Sequence, residues 1–263
     1  MKNPTDSADT ITFLGTAGAR FMVSRQLAAS GGMWLNLGGT EVLVDPGPGS
    51  IVHSTRRKLR GEKLSAIILS HRHLDHSADA NVMIEAMTNG GFSKKGWLFA
   101  PSDCLGEEPV VFSYLRGFVE GVMPLKEGGS YKVENISFST PIRHIHPVET
   151  YGMVFEAGGH RFSYIADTRY FDGLAQAYAA EMLIINVVFL EPPVRADHLT
   201  IPDVARLVAE IRPKIAILNH YGMHVWQAHP WELAEMLTQE TGVKVIAARD
   251  GMKFDLACLD IEE

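Results

Sequence analysis

Seven consecutive residues, Ser70-His71-Arg72-His73-Leu74-Asp75-His76, restrict what this chain can fold into more than any other stretch. The apolar run Leu64–Ser70 leads into them and reads as a buried strand, and Ala78–Met87 follows with the apolar spacing of a helix. Three imidazoles and a carboxylate crowd into six positions. They cannot be ordinary core residues, because each buried polar group needs a partner. On extended backbone His71 and His73 point to the same side, so both can reach one cation. Asp75 and His76 lie at the turn into the helix and point elsewhere, which suits a second cation nearby. The fold must therefore set a strand end and a helix start around a metal centre.

The rest of the chain supplies the scaffold. Thr10–Leu14 alternates like a strand and runs into the loop Gly15-Thr16-Ala17-Gly18, which lacks the spacing of a dinucleotide or P-loop motif. Met33–Leu37 and Glu41–Asp45 flank Gly38-Gly39, a hairpin signal, and Asp45-Pro46-Gly47-Pro48-Gly49 stops the second strand. Trp97–Ala100 is a further short strand, whereas Asp103–Gly129 is mixed, partly helical, and reads as a lid or substrate-facing insertion. From Tyr131 onward strands dominate. Tyr151–Glu156 and Arg161–Ala166 flank Gly158-Gly159, Met182–Leu190 is a continuous apolar strand, and Lys214–Asn219, Val243–Ala247 and Lys253–Ala257 follow. Thr200 caps a helix that runs to Ile211, with Pro202 in its first turn and Asp203 at the third position; Pro230–Glu240 forms another. An α/β architecture of two mixed sheets packed face to face, with helices outside, accounts for this order in one domain over residues 1–263.

Composition sets the limits on function. The 263 residues are 46% hydrophobic and 21% charged, an ordinary globular balance. A net charge of −7 argues against an extended nucleic-acid surface, so an anionic substrate would have to be attracted locally, inside a cleft. Cys104 and Cys258 are isolated, which fits a reducing compartment. The start, Met1 to Asp9, is polar and no apolar run approaches a membrane span, so no membrane association and a cytoplasmic location are expected. A homo-oligomer is compatible with the sequence.

The HxHxDH run resembles the signature of the metallo-β-lactamase superfamily, and the resemblance covers nearly the whole chain. Members add a third histidine, a bridging aspartate and a last histidine, each just after a strand. His146 in His146-Pro-Val-Glu-Thr-Tyr-Gly152 resembles the third histidine of the tRNase Z-like branch, where glycine follows six residues later. Asp167, before Thr168, resembles the bridging aspartate, and His220 in Leu218-Asn-His220-Tyr-Gly222 resembles the last histidine. Asp45 resembles the buried aspartate that braces the metal loop without being a ligand. The resemblance implies a four-layer αββα fold and two divalent ions, zinc first, with manganese or iron as alternatives. It puts His71, His73 and His146 on one ion and Asp75, His76 and His220 on the other, with Asp167 and a water or hydroxide bridging them. Coordination of that kind lowers the pKa of water from 15.7 to roughly 7. Asp75 would also orient the water or accept its proton. His198, in Asp197-His198-Leu199-Thr200, resembles the histidine that stabilises the transition state or protonates the leaving oxygen.

Other residues divide less cleanly. His144 shares a strand side with His146 and competes with it as a ligand, although the spacing to Gly152 favours His146. Tyr151 and Asn219 are candidates for the pocket lining. His53, His160, His224 and His229 read as solvent-facing. Two divalent ions, two aspartates and a hydroxide leave a single positive charge, which favours an anionic substrate. Within the branch that this chain resembles, tRNA-processing members carry a long basic arm between the third histidine and the bridging aspartate. Here only twenty residues separate His146 from Asp167. A small phosphodiester or nucleotide is therefore the expected substrate of a phosphodiesterase, and the Arg249-Asp-Gly-Met252 run also resembles small-molecule phosphodiesterases. The alternatives are a lactonase or other C–O/C–N hydrolase, a ribonuclease or nuclease, and a metal-binding sensor without turnover.

Overall fold

The structure, a computed structural model, describes residues 8–192 and 196–260; the polar start read at Met1 to Asp9 lies outside it as far as residue 7. Two hairpin-forming strands, β2 (Met33–Leu37) and β3 (Thr40–Val44), follow β1 (Thr10–Phe13) and helix α1 (Ala19–Arg25). Helix α2 (Ser50–Arg56) then leads to β4 (Leu64–Ile68), the short α3 (Leu74–Ser77), α4 (Ala80–Thr88), β5 (Trp97–Ala100) and β6 (Gly121–Pro124). The second half begins with β7 (Gly129–Val133), β8 (Ile136–Thr140), β9 (Met153–Ala157) and β10 (His160–Ile165). It continues with α5 (Leu174–Ala177), β11 (Met182–Asn186), α6 (Ile201–Ile211), β12 (Ile215–Asn219), α7 (Met223–Gln227), α8 (Pro230–Thr241), β13 (Lys244–Ala247) and β14 (Lys253–Asp255).

The strands form two seven-stranded sheets. Their orders are β14-β1-β2-β3-β4-β5-β6 and β13-β12-β11-β10-β9-β8-β7. Each sheet mixes antiparallel hairpins with a parallel block, β3 to β6 in the first and β10 to β13 in the second. Between the sheets lies a core that includes Phe13, Leu35, Val44, Ile68, Phe155, Phe162 and Ile217. A second apolar layer joins the outer face of the second sheet to α6 and α8 through Leu207, Val208, Ala234 and Leu237. A third joins the first sheet to α4 through Leu43, Ile67, Met83 and Met87. Burying both faces of a parallel block requires near-continuous apolar strands, and β4, β11 and β12 are buried along their whole length. The result is an αββα sandwich. The first-turn geometry of α6 is as read from the sequence: the Thr200 hydroxyl accepts from the Asp203 amide, the Asp203 carboxylate accepts from the Thr200 amide, and Pro202 occupies the opening turn.

Three readings need correction. Met182–Leu190 is not one strand: pairing ends at Asn186, the Val187 amide still donates to the Asn219 carbonyl, and the chain then turns so that Phe189 bridges Thr200. The helix expected from Ala78 begins at Ala80, preceded by the one-turn α3 that carries Asp75 and His76. Asp103–Gly129 is not a free lid. Cys104, Val111, Leu115 and Val119 bury their side chains in the layer over the first sheet, and β6 closes that sheet's edge. Its short 3₁₀ turns lack the periodicity of either regular element, which is why it reads poorly.

Candidate metal centre

Asp45 follows β3, the HxHxDH loop follows β4, Asp167 follows β10 and His220 follows β12. These are carboxyl ends of parallel strands, where an open α/β sheet leaves a crevice. His146 comes from the β8–β9 connection and His198 from the connection between β11 and α6. Residues from both sheets thus meet at one end of the sandwich.

The histidine nitrogens point at each other. His71 Nε2 lies 3.1 Å from His73 Nδ1, and His146 Nε2 lies 3.1 Å from the same His73 atom. His76 Nε2 and His220 Nε2 are 2.9 Å apart, and Asp75 Oδ2 is 3.3 Å from His220 Nε2. Asp167 Oδ2 stands 3.5 Å from His76 Nε2, 3.9 Å from His71 Nε2 and 3.5 Å from His198 Nδ1. Ligand atoms about 2.05 Å from a zinc-sized ion are separated by about 3.3 Å in a tetrahedron, close to these spacings. Three sets among the described residues can each surround a cation: His71, His73 and His146; Asp75, His76 and His220; and, between them, His71, His76 and Asp167. His146, Asp167 and His198 form a fourth.

The outward ring nitrogens are anchored. His76 Nδ1 is 3.0 Å from Asp45 Oδ2, an acceptor only, so that nitrogen donates and Nε2 is the one turned to the centre. His71 Nδ1 donates to the Ser70 hydroxyl at 2.9 Å, which in turn donates to Asp45 Oδ2 at 2.7 Å. His146 Nδ1 donates to the Asp197 carbonyl at 2.9 Å. One nitrogen held outward and the other turned inward is the arrangement by which a protein presents imidazole to a metal. The buried Nδ1 atoms of His198 and His220 have no hydrogen-bond partner, further polar capacity aimed at the centre. The donor set therefore fits divalent cations, and no cysteine belongs to it, since Cys104 is buried elsewhere and Cys258 is exposed.

Electrostatics in the bare protein point the same way. Burial alone would lower the His76 pKa, yet Asp167, Asp45 and Asp75 hold it well above the usual histidine range. Burial also opposes ionisation of Asp167, but His220, His76 and His198 keep its carboxyl well below the usual range. His71, with burial the largest influence, is held well below 6.5 and stays neutral, the form that binds metal. Burial lowers the pKa of His198 as well, against the pull of Asp167.

Backbone strain concentrates here. Asp45 and His220 adopt left-handed φ angles of 51° and 58°. Each such residue costs of order 1–3 kcal/mol and persists where its surroundings hold it. Asp45 is held by four donors: the Ser70 amide at 2.6 Å, the Ser70 hydroxyl, His76, and the Tyr164 hydroxyl at 2.8 Å. His220 is pressed by Gly18, where a Cβ would overlap the imidazole ring and the His220 carbonyl, so only glycine fits.

Several residues stand apart from the sequence reading. His144 does not join the cluster: its Nδ1 donates to the Asp167 carbonyl at 3.2 Å and its Nε2 accepts from the Tyr178 hydroxyl at 2.8 Å. Burial pushes its pKa down to about 4, and it serves as a neutral prop under Asp167. Tyr151 packs between the sheets and donates to Glu149 at 2.9 Å instead of lining the centre, whereas Asn219 does border a small cavity beside Asp75 and His220. His160 is mostly buried and lies 3.2 Å from Glu181, and His53 is half-buried on α2; neither faces solvent freely, because each sits against a neighbouring element. His224 and His229 are exposed, as expected.

Two residues received no structural role from the sequence, Asp250 having entered only as part of the Arg249–Met252 run. Asn186 donates to Asp167 Oδ1 at 2.9 Å and to the Tyr164 hydroxyl at 3.1 Å, tying the second sheet's aspartate to Asp45 of the first. Asp250 accepts from the Thr16 amide at 2.9 Å, the Thr16 hydroxyl at 2.8 Å and the Ala29 amide at 2.7 Å. It staples the Gly15–Gly18 loop, whose Thr16 carbonyl and Gly18 amide clasp Tyr221 beside His220. The Asp250-Gly251 pair was the available signal.

Comparison with known proteins bears on the fold that carries this geometry. The family model for the beta-lactamase superfamily domain matches residues 40–221. The chain is 30% identical to the uncharacterized protein MJ1374 of Methanocaldococcus jannaschii over 94% of each sequence. It is 28% identical to the probable metallo-hydrolase YhfI of Bacillus subtilis over 74% of this chain and 82% of that one. The crystal structure of YhfI superposes with a TM-score of 0.77 at 23% identity, covering 95% of this chain and all (100%) of that one. A diphosphatase of the PhnP family superposes with a TM-score of 0.71 at 18% identity, covering 94% and 97%. The chain belongs to the metallo-β-lactamase superfamily, with the α/β sandwich that defines it.

Proposed function

We propose that this protein is a dinuclear metal-dependent phosphodiesterase acting on a small phosphodiester or nucleotide. The observation that carries the reading is the convergence of His71, His73, Asp75, His76, His146, Asp167 and His220 from both sheets, with His198 beside Asp167. His71, His73 and His146 would hold one cation, Asp75, His76 and His220 the other, and Asp167 would touch both; zinc suits the imidazoles, and manganese or iron the carboxylates. When bound, such a pair supplies Lewis acidity and a nucleophilic water at neutral pH.

The chain's own groups do the remaining work. Asp75, 13% exposed at its side chain, is the one acidic member of the centre that water reaches, so it orients the attacking water and accepts its proton. His198 is 18% exposed, with its Nδ1 3.5 Å from Asp167, placed to donate to the leaving oxygen. Asp45, Asn186 and Tyr164 keep His76 and Asp167 oriented through bonds of 2.8–3.1 Å. The resemblance in fold to a diphosphatase supports a phosphate substrate, and the −7 charge of the chain supports a small one drawn in by the centre alone.

The test compares hydrolysis of bis(p-nitrophenyl) phosphate with a panel of lactones, alongside metal analysis. Phosphodiester turnover that vanishes in a folded His146→Ala variant is the expected outcome. Preferential lactone turnover, or activity indifferent to His146, overturns it.

A further inference from the structure

The outer face of the first sheet carries a groove of about 450 Å³ that shares no residue with the metal centre. It lies within the size range of small-molecule sites, roughly 300–1,000 Å³. Five cationic side chains line it: Arg57, Lys58, Arg60 and Lys63, from the segment joining α2 to β4, and Lys253 of β14. Glu41 is the one acid in the lining, and it is engaged, accepting the Trp34 indole N–H at 2.8 Å. Arg60 pairs with exposed Glu62. Among the described residues, Lys58, Lys63 and Lys253 have no ion-pair partner.

Such a cluster stands out in a chain of net charge −7, because like charges gathered around one concavity repel each other. Arg57 is also preorganised. Its Nη1 donates to the His53 carbonyl at 3.1 Å, and its guanidinium lies across Gly251, where a Cβ would overlap it. A held guanidinium loses less freedom on meeting an oxyanion and can bind it with two parallel bonds. The floor is polar, with Thr10 and Thr12 lying on it. The pKa of His53, beside Arg57, is lowered by burial first and then by Arg57, against the pull of Asp250.

We propose that this groove binds a small oligophosphate anion, of the pyrophosphate or nucleoside polyphosphate class, at a site separate from the metal centre. Several dispersed cations demand a ligand with several dispersed oxygens, which favours an oligophosphate over a monocarboxylate. The groove's bounded volume, in a protein acidic elsewhere, favours a small molecule over a nucleic-acid strand, which would need a long basic track.

Isothermal titration with inorganic tripolyphosphate tests this on the full chain carrying His146→Ala and stripped of metal by chelation, in about 150 mM salt. One-to-one binding is expected, weakened by about tenfold or more in a Lys58→Ala/Lys63→Ala/Lys253→Ala background. The three lysines are exposed, and circular dichroism checks that the fold persists. Absence of heat at about 1 mM ligand overturns the proposal, as does equal binding by the lysine variant. A single-stranded oligonucleotide that binds more tightly than tripolyphosphate also overturns it. Phosphodiester turnover is read separately on the metal-loaded wild type, so failure at the groove and failure of the metal-centre reading are distinguished.

Discussion

The two candidate cation cages differ in kind. The first, His71, His73 and His146, is all imidazole, and two of its members are only half-buried. The second, Asp75, His76 and His220, includes a carboxylate, buries both histidines, and rests on the strained Asp45 and His220 backbones. A cavity of about 10 Å³, room for one water, adjoins it. One cage is neutral and open, and the other is charged, enclosed and braced. The difference teaches that a shared centre need not be symmetric: the first cage is more open to solvent, and a cation in the second would be the more firmly held.

The largest effect is expected from removing what the cages share. With two cations held as proposed, Asp167→Asn is expected to lower phosphodiester turnover on the order of 10³-fold or more, since both would lose a ligand. Elemental analysis should show both sites depleted, and retention of full metal content breaks the picture of a common bridge. Next, His146→Ala and His220→Ala separate the two: each leaves about one ion per chain, and the ion that remains in His146→Ala leaves more slowly under chelator. Equal chelation rates would erase the asymmetry. Asp45→Asn frees the outward nitrogen of His76 and loosens the Ser70 relay to His71, weakening metal affinity by roughly 10–100-fold, more for the second cage than the first. Competition with a colorimetric chelator measures it. Asp250→Asn acts one step further out, through the loop that clasps Tyr221. It is expected to destabilise by about 1–2 kcal/mol and to reduce kcat more than it changes KM.

The smallest effect sets a baseline remote from both cages. Glu181, at 24% side-chain exposure, has its carboxyl held below the usual range; burial opposes this, while the Arg161 amide and Lys214 favour the charged form. A depressed carboxylate contributes stability above its unfolded pKa and loses it as pH falls through the folded value. Glu181→Gln should therefore lower Tm near neutral pH, and the gap from wild type should close below about pH 4. Metal content should not change.

Legibility followed distance along the chain. His71, His73, Asp75 and His76 were readable because two alternations, strand then turn, dictate where neighbouring side chains point. The hairpin at Gly38-Gly39 and the capping box at Thr200 were readable for the same reason: local hydrogen bonds and φ angles involve residues two or three apart. His146, Asp167 and His220 were located by resemblance, since nothing local relates them. The structure brings them within about 3–4 Å of the loop at His71–His76. Asn186 fell inside the apolar run Met182–Leu190 and Asp250 inside the Arg249–Met252 run, and neither showed its role there because their partners lie on other elements.

The sequence by itself determined the local pieces: a strand that ends in a histidine-rich turn, the glycine stops, the capped helices and the apolar runs that must be buried. Only the tertiary structure decided which histidine props and which one faces the centre, as His144 and His146 differ by two positions yet turn to Tyr178 and to His73 respectively. It also decided that Asp45, Tyr164, Asn186 and Asp167 join the two sheets in one network. The reason is physical: short-range sterics fix the direction of a side chain relative to its own backbone, while its partner is fixed by the packing of two sheets whose contacts are far apart in sequence.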